Sequence, residues 1–109
     1  MDFSFEHDYD EAGNRWMITV SGEIDIFNSD TIKSGLMELI SRTPADLFLD
    51  CKDLEYIDST ALGALVAVLK NVKNYDGSIH MANVRPSLAK LFKITNLDKV
   101  FILEGDANA

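Results

Sequence analysis

Phe3, Phe5, His7 and Tyr9 alternate with Ser4, Glu6, Asp8 and Asp10. That period of two predicts a half-buried strand at a sheet edge. Residues 10–14, Asp-Glu-Ala-Gly-Asn, carry turn chemistry. Trp16, Ile18 and Val20 then alternate with Met17 and Thr19, giving a second strand that pairs with the first as an antiparallel hairpin and ends at Ser21-Gly22. Residues 23–28 read as a connector, and Asn28, Ser29 or Asp30 can cap the helix that follows. Ile32, Leu36, Leu39 and Ile40 share one helical face, and Thr43-Pro44 stops that helix. Leu47-Phe48-Leu49 is apolar without alternation, as expected of a central strand covered on both faces. Leu62, Leu65, Val66, Leu69 and Val72 predict a second helix from Thr60 to about Asn74, and its many small residues predict close packing on the sheet. Asp76-Gly77 is a turn and residues 78–82 a strand. Pro86 opens a third helix with Leu88, Leu91 and Phe92 inward, and Asn96 is a left-handed stop. Residues 100–103 fit either a last short strand or further helix.

The order β-β-α-β-α-β-α predicts an α/β fold. It implies one mixed β-sheet, an N-terminal antiparallel hairpin followed by parallel βαβ crossovers, with three to four helices. The 109 residues fit a single domain, 1–109, with 104–109 as a frayed tail. At 47% hydrophobic residues a core forms without disulfides, and the lone Cys51 cannot bridge internally, which fits a reduced intracellular compartment. The N-terminus, Met-Asp-Phe-Ser-Phe-Glu, does not read as a signal peptide. The longest stretch without polar side chains, 61–69, is too short to span a bilayer. A net charge of −8 argues against binding nucleic acid or an anionic membrane.

Asp58, Ser59 and Thr60 stand where a loop enters the second helix. All three residue types cap free helix N–H groups, and one suffices. Three in a row leave open whether Ser59 is a cap or a hydroxyl presented to another molecule. Other chemistry is poorly supported. Asp50 at a strand end suggests a response-regulator receiver, but the required acidic pair and later lysine are missing, and Val84-Arg85-Pro86 fills the later turn. His7 and His80 are isolated, so no metal site is expected. No Gly-x-Ser-x-Gly elbow supports a hydrolase.

Gly22-Glu23-Ile24-Asp25, the Leu47-Phe48-Leu49-Asp50 strand, Ile57-Asp58-Ser59-Thr60-Ala61-Leu62-Gly63 and the late segment 91–97, Leu-Phe-Lys-Ile-Thr-Asn-Leu, together resemble the anti-sigma factor antagonists of the STAS domain family. The resemblance covers essentially the whole chain. It implies a cytoplasmic, non-enzymatic bacterial regulator, monomeric when free and without cofactor, catalytic residue or metal. Its partner would be an anti-sigma factor serine kinase, which phosphorylates Ser59 and so stops binding, and a serine phosphatase acting on phospho-Ser59 would restore it. The implied contact residues are Asp25, Asn28, Asp58, Ser59, Thr60, Ala61, Leu62 and Gly63. Ala61 departs from the family's glycine and is tolerable if the position is helical. Thr60 is expected to be helix-start structure more than a phosphosite. The competing expectations are a scaffold or transport-associated STAS subunit that is never phosphorylated and, from another class, a small hydrolase or phosphotransfer enzyme.

Overall fold

The computed structural model describes residues 3–104. Within them the chain runs β1 (Phe3–Asp10), β2 (Arg15–Ile24), α1 (Ser29–Arg42), β3 (Asp46–Asp50), β4 (Leu54–Ile57), α2 (Ser59–Lys73), β5 (Ile79–Ala82), α3 (Pro86–Ile94), a 3-10 turn at Leu97–Lys99, and β6 (Ile102–Glu104). The sheet order is β1-β2-β3-β5-β6, with β4 also beside β2. The β1–β2 pair is antiparallel and the remaining pairs are parallel. The mixed sheet inferred from the pattern is therefore present, with three α-helices among the described residues.

Strand side chains sort by pleat. Trp16, Ile18 and Val20 of β2, Leu47 and Leu49 of β3, and Ile79 and Met81 of β5 are buried on one side. They form one core with Ile32 and Leu36 of α1, Leu65, Val68 and Val72 of α2, and Phe92 of α3. Among the described residues the opposite side of the sheet is left accessible, with Met17 and Thr19 exposed. Phe48 is only half-buried there; it stacks on His80 and lies under the Arg15 guanidinium. The expectation that residues 47–49 are covered on both faces is thus corrected: only Leu47 and Leu49 face the core.

Two further corrections bear on the site, and the open reading of the C-terminal segment is decided. β2 does not end at Ser21-Gly22. Gly22 adopts φ 87°, a left-handed angle that a Cβ would strain. The pairing register shifts between Gly22 and Glu23, so β2 leaves β3 and continues alongside β4. Residues 54–57, to which the pattern assigns no element, form β4. Its buried-exposed-exposed-buried pattern hides the period of two. Last, Asn96 takes the left-handed stop (φ 61°), and residues 97–104 make the 3-10 turn and then β6. Phe101 packs edge-on against Phe92 at 5.3 Å, and Ile102 pairs with His80, so the segment extends the sheet. Glu104, expected in the tail, closes β6; residues 105–109 lie outside the described part of the chain.

Candidate functional site

β2 and β4 run parallel and end together, with Ile24 opposite Ile57. Each strand hands directly into a helix, β2 through residues 25–28 into α1 and β4 through Asp58 into α2. The two helix entrances therefore sit side by side. Asp58 joins them. Its N–H donates to the Ile24 carbonyl (3.1 Å), and its carbonyl accepts from Leu62 N–H (2.9 Å). One carboxylate oxygen accepts from Ala61 N–H (2.8 Å) and caps α2, while the other accepts from Ile26 N–H (2.9 Å) in the neighbouring loop.

Because Asp58 is the cap, Ser59 is not. Ser59 is the first residue of α2 and is exposed, and its hydroxyl makes no hydrogen bond among the described residues. The N–H groups of Ser59 and Thr60, two of the donors every helix leaves unpaired at its start, likewise meet no described acceptor. A free hydroxyl thus lies beside unpaired N–H groups at the positive end of a helix dipole. Such a position tolerates added negative charge locally.

The loop between β2 and α1 is tightly bonded. Asp25 is 5% exposed. Its carboxylate accepts from Phe27 N–H (2.9 Å) and Asn28 N–H (3.3 Å), and its carbonyl accepts from Ser29 N–H (2.8 Å). The Asn28 side chain accepts from Asp25 N–H (2.9 Å) and donates to the Glu23 carbonyl (2.8 Å). Asn28 occupies the cap position of α1, yet its side chain makes no capping bond; it staples the loop instead.

Of the eight expected contact residues, Ser59, Thr60 and Gly63 are exposed, and Asn28 and Asp58 are partly so. Asp25, Ala61 and Leu62 are buried and present no surface for direct contact. Asp25 builds the loop, while Ala61 and Leu62 seat α2 on the core. Ala61 lies inside the helix, where alanine is the most favourable residue, so its departure from the family's glycine needs no special backbone angle. Gly63 is different: a Cβ built there would meet nothing within 4 Å. The residues that pattern reading missed are Ile26 and Phe27, 62% and 91% exposed at the tip of the loop. Two adjacent apolar residues in a segment of turn-forming polar ones were the available signal.

The STAS domain model matches residues 8–107. The chain belongs to the STAS domain family. The anti-sigma-B factor antagonist of Bacillus subtilis (strain 168) is 34% identical over 93 residues, covering 85% of this chain and 84% of that protein. Two solved structures share the STAS fold. An anti-sigma factor antagonist from Mycobacterium paratuberculosis superposes with a TM-score of 0.80 at 22% identity, covering 94% and 86% of the two chains. A Bacillus cell fate determinant in its phosphorylated form superposes with a TM-score of 0.71 at 17% identity, covering 92% and 90%. The Bacillus subtilis relative, at 34% identity, is thus an anti-sigma-B factor antagonist, while the two structures show the fold.

Elsewhere in the STAS domain, Cys51 is fully buried, and burial, aided by the Asp50 carboxylate, pushes its thiol up to about 12. It is packing, not a nucleophile. Among the described residues no group of His, Cys, Asp and Glu is arranged to hold a metal, and no helix is long and apolar enough to cross a membrane.

Proposed function

We propose that this STAS domain is an anti-sigma factor antagonist. Unmodified, it binds a cognate anti-sigma factor serine kinase and displaces the sigma factor held there. Phosphorylation of Ser59 by the same kinase ends the interaction, and a serine phosphatase restores it. The chain acts in the cytoplasm as a monomer and contributes no catalytic group; nucleotide and metal belong to the kinase.

One observation carries this reading. Asp58 takes over the capping that Ser59 could have supplied, which leaves the Ser59 hydroxyl exposed and unbonded at the start of α2. The kinship with anti-sigma factor antagonists supports the choice of partner. The contact surface consists of Ser59, Thr60 and Gly63, flanked by Asn28 and Asp58, with Asp25, Ala61 and Leu62 acting from beneath.

A phosphoryl group would add roughly −1.5 to −2 charges at Ser59. The α2 N-terminus accommodates that charge within the free protein. A docked partner would have to desolvate it beside the Asp58 carboxylate. Repulsion and bulk of a few kcal/mol lower affinity by orders of magnitude. The fold need not change.

The test is incubation of the whole chain with ATP and each purified anti-sigma factor serine kinase of its organism, followed by phosphopeptide mapping. One kinase should place a single phosphoryl group on Ser59, and Ser59→Ala should abolish incorporation. Tight binding without incorporation would favour an unphosphorylated scaffold, and incorporation elsewhere would overturn the site assignment.

A further inference from the structure

Ile26 and Phe27 have no role in the fold that explains their chemistry. They are 62% and 91% exposed, so neither contributes appreciably to the core. Isolated surface hydrophobics are ordinary, but these two are consecutive and held at the tip of a rigid loop. Every backbone N–H from residue 25 to residue 29 is bonded. Asp25 N–H donates to Asn28, Ile26 N–H to Asp58, Phe27 N–H to Asp25, and those of Asn28 and Ser29 to Asp25. Such a loop loses little conformational entropy when its side chains are buried by another molecule. Large aromatic side chains on a preorganised backbone are the residues that most often dominate an interface.

The loop is also continuous with the Ser59 site. The carboxylate that caps α2 directly before Ser59 is the one that fixes the Ile26 N–H. A protein seated over Ser59 therefore meets the loop tip as well. The rim is acidic: Asp30 is exposed in the first turn of α1, and the half-buried Asp58 carboxylate lies between the two helix entrances. A partner suited to this surface has an apolar pocket bordered by basic groups.

We propose that Phe27, with Ile26 beside it, is the apolar anchor by which the anti-sigma factor is held over Ser59. This rests on the assignment of Ser59 as the switched site. Phe27 fills a pocket on the partner next to the place where the phosphoryl group is delivered. The hydroxyl carries the switch, and the loop tip supplies much of the affinity that the switch cancels.

The experiment uses the intact chain and the purified anti-sigma factor kinase that phosphorylates Ser59, in its ADP-bound form, with affinity measured by calorimetry at low and high salt. Phe27→Ala should weaken binding on the order of tenfold to a hundredfold, equally at both salt concentrations, while its melting temperature matches the unsubstituted protein. Phe27→Leu should recover part of the loss. Ile94→Ala, at a 69% exposed apolar position on α3, should bind normally. The proposal is overturned alone if Phe27→Ala binds as tightly as the unsubstituted protein while Ser59 is still phosphorylated, or if Ile94→Ala weakens binding equally. If no anti-sigma factor kinase of the organism binds or phosphorylates the unsubstituted chain, the Ser59 assignment falls and takes this proposal with it.

Discussion

Gly63 offers a sharp test, because folding and binding should respond to the same methyl group in opposite directions. It is the fifth residue of α2, an interior helical position. There glycine is about 0.8–1.0 kcal/mol less favourable than alanine, from backbone entropy alone. A Cβ at Gly63 meets no atom within 4 Å, so no packing penalty offsets the gain. Gly63→Ala should therefore stabilise the free protein by about 1 kcal/mol, a rise in melting temperature of roughly 4 °C for a domain of this size. Gly35 in α1 is the internal control. Its Cβ would come within 3.0 Å of the Phe5 ring, so Gly35→Ala should gain less than Gly63→Ala or lose stability. Urea and thermal unfolding of the three proteins read this directly. Gly63 also stands one helical turn from Ser59, on the same face. If the partner packs over that face, the methyl that stabilises the free chain should weaken the complex. A Gly63→Ala protein less stable than its parent would refute the open-space argument. One that is more stable but binds normally would show that the partner does not approach α2 there.

Other substitutions probe the architecture around the hydroxyl. Asp25→Ala strips the acceptor from two loop N–H groups and should cost roughly 2 kcal/mol in urea unfolding, with Asp25→Asn milder because it keeps one carbonyl oxygen. Asp58→Ala loses the cap and the bridge to Ile26, together roughly 2 kcal/mol, and Asp58→Ser, which can cap but cannot bridge, should recover about half. Cys51 should resist thiol reagents in the native protein and react only on unfolding. Its folded thiol stays protonated to about 12, whereas the unfolded thiol ionises near 9.0. The raised value means that its contribution is complete below about 9 and is lost as pH rises toward about 12. The stability difference between the parent and Cys51→Ala should shift against the parent by about 1.4 kcal/mol between neutral pH and pH 10. A difference independent of pH would contradict this.

Where local periodicity and burial coincide, the chain announces its fold. Trp16 to Val20 alternates cleanly because one sheet face is buried and the other wet, and Ile32, Leu36, Leu39 and Ile40 mark the buried stripe of α1. The entry of α2 somewhere within residues 58–60 was equally legible, because acid and hydroxyl residues cluster before a long apolar run. The losses have physical causes. β4 is four residues with a core position only at each end, a spacing compatible with loop or helix. Gly22 looked like a terminator because a glycine at a bulge and one at a turn are the same letter. Burial of Asp25 depends on bonds to residues 27–29, and a carboxylate on a connector ordinarily implies solvent. The division of labour between Asp58 and Ser59 needed coordinates, since either side chain can cap a helix. Ile26 and Phe27 passed as connector because no periodicity marks side chains that face solvent.

The most direct measurement compares the affinities of the unmodified protein and its Ser59-phosphorylated form for the anti-sigma factor kinase, alongside circular dichroism of both. The phosphorylated chain should keep the same spectrum and melting behaviour within about 1 kcal/mol, yet bind at least about a hundredfold more weakly. Equal affinities would show that charge at this hydroxyl is not what the partner senses.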